Sequence, residues 1–249
     1  MLIKRNIFYP PAKETRGLHI LLPDDYASSG KQYPVMYYFD GHNLFLDEDA
    51  TYGKSWGLKE FLAGWEKELI IVGLECSHNG NDRLTEYCPY TITGDSFLSG
   101  TVGTGKETMD FIVNVLKREI DREFPTLPGR ACTGICGSSM GGLMSFYAAI
   151  RYNHVFSKAA CLSPSLGPCE RQLFMELENH PVDPDTRIYL SAGTKEGGSR
   201  SDPLRRRFAA KIFEQGADAR VYLQQGGRHS EASWEKQNER YLSYLWLDA

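Results

Sequence analysis

The sequence predicts an α/β fold with a mostly parallel central sheet and helices on both faces. Along its 249 residues, short β-rich runs alternate with amphipathic helical patterns. Near-continuous apolar strands between helices are typical of a parallel sheet that is covered on both sides. Residues 1–22 differ, because they hold two strand-like runs with no helix between them. We therefore expect an N-terminal antiparallel hairpin at the edge of the sheet.

The predicted elements follow from hydrophobic periodicity. The predicted strands are 18–23, 34–40, 69–75, 131–136, 158–163, 187–193 and 219–224. The predicted helices are 57–66, 107–124, 140–152, 169–179, 202–216 and 231–247. The clearest helix is 107–124, in which apolar residues recur at spacings of three and four. The region 76–106 is polar and glycine-rich, which predicts a long loop that walls a substrate pocket.

Composition excludes several classes of protein. The chain has 28 basic against 32 acidic side chains and a net charge of −4, which argues against a nucleic-acid binder. No apolar run approaches the ~18 residues that a membrane-spanning helix needs, and no secretory signal is visible, so we expect a cytoplasmic protein. The six cysteines form no paired C-x-x-C motifs, so we expect free thiols and no metal site. The length suits one domain over 1–249.

A candidate nucleophile lies in residues 137–141, which read GSSMG and fit the pattern G-x-S-x-G. A motif this short also arises by chance, so its setting matters. It follows the predicted strand 131–136 and begins the predicted helix 140–152, and a nucleophile elbow requires this order. Ser139 is therefore the candidate nucleophile. The alternative is a glycine-rich turn without chemistry.

The candidate general base is His229. It lies in the segment 226–230, GGRHS, directly after the predicted strand 219–224. This places it at the carboxyl end of a strand, the same sheet edge as Ser139. The alternative is a histidine of a surface loop. Of the other histidines, one lies on a predicted strand, one in the turn after the strand 34–40, one in the long loop and two after helices.

Two carboxylates compete for the role of the acid that orients the histidine. In folds with a nucleophile elbow, the acid lies between serine and histidine in chain order. Glu196 follows the predicted strand 187–193, the placement that suits such a group. Asp202 is followed by a proline, which is typical of a helix start. We prefer Glu196 and keep Asp202 as the alternative.

An oxyanion hole is expected from two backbone N–H groups. One is that of Met140, the residue after the nucleophile, and the other comes from an earlier strand-to-helix loop. The predicted strand 34–40 ends in the sequence DGHN at 40–43, so the N–H of His42 is the candidate second donor. An ordinary turn is the alternative for this tetrapeptide.

Six segments together resemble a known family. They are YYFDGHNLF (37–45), RLTEYCPY (83–90), GICGSSMGGLMS (134–145), CLSPS (161–165), LSAGTKE (190–196) and GGRHSEASW (226–234). In order and spacing they are similar to the putative esterase family of α/β-hydrolases. That family includes enterochelin-type siderophore esterases, esterase D-like enzymes, and feruloyl or acetyl-xylan esterases. The resemblance extends from about residue 16 to residue 247.

The resemblance implies an α/β-hydrolase fold and assigns roles to the same residues. Ser139 matches the family's nucleophile, His229 its base and Glu196 the position of its acid. Many relatives carry glutamine where this chain has His42. This difference matters little if residue 42 contributes only its backbone N–H to the oxyanion hole. Arg83 belongs to a cluster that resembles a loop motif of the family. We interpret it as holding the long loop, and we keep Arg83 and His78 as candidate substrate contacts.

The function expected from these observations is that of a serine carboxylesterase without a metal or organic cofactor. Its expected partner is a small-molecule ester such as a siderophore or a feruloyl or acetyl sugar ester, and not a nucleic acid or a membrane. A homo-oligomer is compatible with the sequence. An acyltransferase on the same triad is the first alternative, and a catalytically idle binding protein of the same fold is the second.

Overall fold

The computed structural model describes residues 1–93, 95–197 and 201–247. Within these ranges eight strands are present: β1 Leu2–Tyr9, β2 Glu14–Leu21, β3 Val35–Phe39, β4 Ile70–Leu74, β5 Thr133–Ser138, β6 Lys158–Leu162, β7 Arg187–Gly193 and β8 Asp218–Gln224. They form one sheet in the order β1-β2-β4-β3-β5-β6-β7-β8. β2 pairs antiparallel with β1 and β4, and all the other pairs are parallel. The mostly parallel sheet and its N-terminal hairpin are confirmed.

Nine α-helices connect the strands in the same described ranges: α1 Leu58–Ala63, α2 Asp82–Glu86, α3 Gly105–Phe111, α4 Lys117–Glu123, α5 Met140–Arg151, α6 Glu170–Asn179, α7 Ser201–Glu214, α8 Glu231–Glu235 and α9 Asn238–Trp246. A π-helical turn joins α3 to α4, so the predicted helix 107–124 is continuous but changes its hydrogen bonding midway. The prediction of one helix over 231–247 is wrong. Two helices, α8 and α9, occupy that segment.

The strand predicted over 131–136 begins two residues later than expected. The residues Arg130–Cys132 form a single 3-10 turn before β5. The Arg130 guanidinium holds this turn in place, because it donates hydrogen bonds to the Asn153 carbonyl at 2.5 Å and to Thr186 Oγ1 at 2.8 Å. β5 also ends two residues later than predicted, at Ser138. Ser139 is therefore the first residue after the strand.

Successive side chains of the central strands enter two separate cores, as the alternation of a strand requires. In β3, Val35, Tyr37 and Phe39 face one core, whereas Met36 and Tyr38 face the other. The first core is covered by α3 to α7, and the second by α1, α8 and α9. Both faces of the sheet are therefore buried, which explains the near-continuous apolar runs in the sequence.

The long loop 76–106 contains more regular structure than the sequence predicted. It includes α2 and an isolated antiparallel bridge between Thr91 and Val102. Arg16 of β2 forms a buried ion pair with Glu86 of α2. The second carboxylate oxygen of Glu86 accepts a hydrogen bond from the Ser77 N–H at 2.8 Å. These contacts hold the loop against the sheet.

Two expectations from composition concern cysteines and membranes. All six cysteines are free thiols, as their spacing predicted. In the part of the chain that the structure describes, no helix combines the length and the apolar content that crossing a bilayer requires.

The core under α7 offers a test of the packing. Phe208 is fully buried, stacks on Phe174 with ring centroids 4.2 Å apart, and meets the edge of Phe146 at 5.0 Å. We expect Phe208→Ala to lower the free energy of unfolding by about 3–5 kcal/mol, because it leaves a cavity between three helices. Urea denaturation measures this loss. The matched control is Phe213→Ala on the same helix, whose ring is 75% exposed, and it should change the free energy by less than about 0.5 kcal/mol. Equal losses in the two variants would contradict the packing.

Candidate active site

The candidate residues all lie at one edge of the sheet. The turn Gly41–Asn43 follows β3, Ser139 follows β5, Glu196 follows β7 and His229 follows β8. These strands run parallel, so their carboxyl ends meet at the same edge. Open α/β sheets place their binding sites there.

Ser139 occupies a sharp turn between β5 and α5. Its backbone angles are φ 56° and ψ −115°, a conformation that residues other than glycine rarely adopt. The glycines on either side make the turn possible. A Cβ added to Gly137 would lie 2.5 Å from the carbonyl carbon of Gly141, and one added to Gly141 would lie 2.9 Å from Cβ of Phe39. The spacing of the motif is thus a packing requirement of the turn.

Backbone hydrogen bonds fix the Ser139 turn against the loop after β6. The Ser139 N–H donates to the Leu162 carbonyl at 2.9 Å, and the Ser139 carbonyl accepts from the Ser165 N–H at 3.0 Å. The Ser139 hydroxyl lies 3.5 Å from Ser165 Oγ. Among the described residues it makes no hydrogen bond to His229.

Glu196 and His229 are brought together. His229 Nδ1 donates to Glu196 Oε2 at 3.4 Å, and Glu196 Oε1 accepts from the Gly193 N–H at 2.6 Å. Burial alone would raise the pKa of Glu196, but the hydrogen bonds it accepts, that from His229 foremost, hold the pKa below its ordinary value. Glu196 is therefore a carboxylate at neutral pH. Its side chain is 12% exposed, whereas that of His229 is 45% exposed.

Two residues that the sequence analysis missed support this pair. Ser163 Oγ donates to Glu196 Oε1 at 2.6 Å and accepts from Trp234 Nε1 at 3.0 Å. The Trp234 ring also packs edge-on against the His229 ring, with centroids 5.1 Å apart. Ser163 follows β6 at the same sheet edge, a signal that could have identified it. Trp234 lies on α8 and ends the segment 226–234 that carries the family resemblance, but apolar periodicity alone gives it no role in the site.

Asp202, the alternative acid, is engaged elsewhere. It lies in the first turn of α7, and its Oδ2 accepts a hydrogen bond from Arg206 Nε at 2.8 Å, one helical turn further on. Among the described residues no hydrogen bond joins Asp202 to His229.

The candidate oxyanion donors lie on two segments that follow neighbouring strands, β5 and β3. Met140 is the first residue of α5, whose amino-terminal N–H groups favour negative charge. His42 lies in the single 3-10 turn after β3. A Cβ on Gly41 would overlap the carbonyl of Gly73 in β4, so glycine lets this turn lie against the sheet. The His42 ring is buried, which lowers its pKa and keeps it neutral.

A buried ion pair holds the turn after β3. Asp40 is 3% exposed, and both of its carboxylate oxygens accept hydrogen bonds from the Arg83 guanidinium at 2.7 Å. The Arg83 guanidinium also lies over the Tyr87 ring, and the Asp40 N–H donates to Tyr87 Oη at 3.1 Å. Burial would raise the pKa of Asp40, but Arg83 holds it below its ordinary value. Arg83 thus ties α2 to the turn, in line with the interpretation that it holds the long loop.

His78 lies beside the same turn. Its side chain is 57% exposed, its Nε2 lies 3.2 Å from Glu75 Oε2, and its ring centroid lies 4.6 Å from that of His42. Among the described residues its hydrogen bond is to Glu75, a residue that the sequence analysis did not select.

Three known proteins are similar to this chain. Esterase Rv1288 of Mycobacterium tuberculosis is 31% identical over 150 residues, which are 60% of this chain and 29% of that protein. The crystal structure of an IroE-like serine hydrolase from Shewanella oneidensis superposes with a TM-score of 0.74 at 24% identity, over 97% of this chain and 80% of that chain. The enterobactin esterase FES from Shigella flexneri superposes with a TM-score of 0.74 at 16% identity, over 99% and 59% of the two chains. Both crystal structures have the same fold as this chain.

The profile of the family described as "Putative esterase" matches residues 12–245, almost the entire chain. The sheet order, the antiparallel hairpin and the structural neighbours agree with this match. The chain therefore belongs to the Putative esterase family and has the α/β-hydrolase fold.

Proposed function

We propose that the protein is a serine carboxylesterase that cleaves its ester through an acyl-enzyme intermediate. The observation that carries the proposal is the Glu196–His229 pair, held at the sheet edge where Ser139 occupies its strained turn. Membership of an esterase family supports hydrolysis of an ester as the reaction. The geometry supports the assignment of the three residues.

In the first half-reaction, Ser139 Oγ attacks the ester carbonyl and His229 Nε2 takes the hydroxyl proton. The Glu196 carboxylate accepts the hydrogen bond of Nδ1–H, which leaves Nε2 as the basic nitrogen and stabilises the imidazolium that forms. His229 then gives the proton to the leaving alcohol. The exposed His229 ring must turn toward Ser139 when substrate binds, and catalytic hydrogen bonds often tighten only in that complex.

In the second half-reaction, His229 takes a proton from water, whose oxygen attacks the acyl carbonyl, and His229 returns this proton to Ser139 Oγ as the acid leaves. Both tetrahedral intermediates carry an oxyanion, for which the Met140 and His42 N–H groups are the proposed donors. Asp40 and Arg83 act indirectly. Their ion pair positions the turn that carries the His42 N–H.

The proposed substrate class is a small-molecule carboxylic ester. One structural neighbour acts, by its name, on enterobactin, and a second is named a ferulic acid esterase. We propose a siderophore ester or a feruloyl or acetyl sugar ester as the physiological substrate. A series of p-nitrophenyl acyl esters of increasing chain length would define the acyl group that the site accepts.

Removal of the nucleophile tests the proposal first. We expect Ser139→Ala to lower kcat/KM for p-nitrophenyl acetate by about 10³-fold or more, because no other group can form the acyl-enzyme. The matched control is Ser165→Ala, whose hydroxyl lies 3.5 Å away, and it should stay within about tenfold of the wild type. A fluorophosphonate should label the wild type and Ser165→Ala, but not Ser139→Ala. If labelling were lost in Ser165→Ala and kept in Ser139→Ala, the assignment of Ser139 as the nucleophile would be wrong.

The acid is identified by comparing two amide variants. We expect Glu196→Gln to lower kcat by about 10²–10⁴-fold, because an amide no longer stabilises the imidazolium. Asp202→Asn should leave kcat within about threefold, since a surface ion pair contributes little. Steady-state kinetics on one ester measures both effects. The reverse ranking would transfer the role of the acid to Asp202.

The buried Asp40–Arg83 ion pair is expected to affect the free energy of unfolding. We expect Arg83→Met to lower the free energy of unfolding by about 3 kcal/mol, because it leaves a buried carboxylate unpaired. The double variant Asp40→Asn/Arg83→Met should recover part of that loss. Urea denaturation measures each value. The control is Lys54→Met, which removes a half-buried ion pair with Glu235 and should cost about 1 kcal/mol or less, because both groups stay in contact with water. A double variant no more stable than Arg83→Met would contradict the prediction.

A further inference from the structure

A cluster of two histidines and one glutamate lies beside the turn after β3. Among the described residues, His42, Glu75 and His78 each offer one ligand atom, and these atoms all lie within 4.8 Å of one another. His42 belongs to the turn, whereas Glu75 and His78 follow β4, the strand next to β3. The proposed ester hydrolysis uses the backbone N–H of His42 and no part of Glu75 or His78.

The His42 ring has a buried nitrogen without a hydrogen-bond partner. His42 is 6% exposed, its Nε2 lies 2.9 Å from Thr51 Oγ1, and its Nδ1 has no partner among the described residues. If Nε2–H donates to Thr51, Nδ1 carries a free lone pair, which is the form that binds a metal. A ligating histidine usually donates its other N–H in this way.

Glu75 is held with one oxygen directed to the cluster. Its Oε1 accepts a hydrogen bond from Nε2 of the buried His19 at 2.6 Å, and its Oε2 lies 3.2 Å from His78 Nε2. A side chain on Gly17 would overlap this carboxylate, so the glycine of β2 provides its space.

We propose that His42, Glu75 and His78 bind a divalent late first-row transition metal ion, for which Zn²⁺ is the best match. Two imidazoles and one carboxylate suit Zn²⁺ and disfavour Ca²⁺ and Mg²⁺, which prefer oxygen ligands. Tetrahedral Zn²⁺ with bonds of about 2.0–2.2 Å places its ligands roughly 3.3 Å apart, close to the 3.2 Å between His78 and Glu75. The His78 side chain is 57% exposed, which leaves it room to move toward a bound ion. Three protein ligands leave the fourth position to water.

The test titrates ZnCl₂ into metal-free protein, prepared with EDTA and then dialysed, by isothermal calorimetry. We expect one equivalent to bind to the wild type. Glu75→Gln and His78→Ala should each weaken the Kd about 100-fold or more, and Thr51→Val, which removes a partner of His42, by about 10–100-fold. The matched control is His180→Ala, an exposed histidine paired with Glu176, which should bind as the wild type does. Melting temperatures without metal confirm that each variant is folded.

The site has one further readout that does not depend on ester hydrolysis. Co²⁺ in place of Zn²⁺ should give the visible absorption of a four-coordinate ion, and this absorption should be lost in His78→Ala. The proposal is wrong if the wild type binds no ion, or if Glu75→Gln and His78→Ala bind Zn²⁺ as tightly as the control. It is also wrong if His229→Ala, rather than His78→Ala, abolishes binding, because the ion would then lie at the candidate active site.

Discussion

The candidate active site depends on a backbone conformation that serine adopts only under constraint. Such a conformation costs about 1–3 kcal/mol, so the surrounding structure must hold it. β5 fixes the chain before Ser139, α5 fixes it after, and hydrogen bonds to Leu162 and Ser165 fix it from the side. Gly137 and Gly141 allow the strand and the helix to approach closely enough to close the turn. The sheet therefore supplies the stability that positions Ser139, the proposed nucleophile.

The second constraint is a chain of hydrogen bonds that joins three loops. Trp234 donates to Ser163, Ser163 donates to Glu196, and His229 donates to the same carboxylate. The chain connects the segments after β6, β7 and β8, so the orientation of His229 depends on packing well beyond its own loop. Glu196 is held by several donors and is largely buried, whereas the His229 ring is more exposed.

Local sequence patterns predicted the sheet, the hairpin and the strand-turn-helix setting of Ser139, because apolar periodicity and glycine spacing are local properties. They could not predict the contacts that hold the site together. Asp40 and Arg83 are separated by 43 residues, and Ser163 and Trp234 by 71. Only the folded sheet brings such residues together. The broken C-terminal helix and the late start of β5 likewise result from tertiary contacts that override local preference.

The most direct measurement is to locate the acyl group during turnover. The wild-type protein would be mixed with an excess of p-nitrophenyl acetate, quenched with acid within the first turnovers, digested and mapped by mass spectrometry. A Ser139 acyl-enzyme predicts an acetyl group on the peptide that contains Ser139, formed together with a burst of p-nitrophenol. Hydrolysis that proceeds with the acetyl group on another residue, or with no covalent adduct at any stage, would contradict the proposed mechanism.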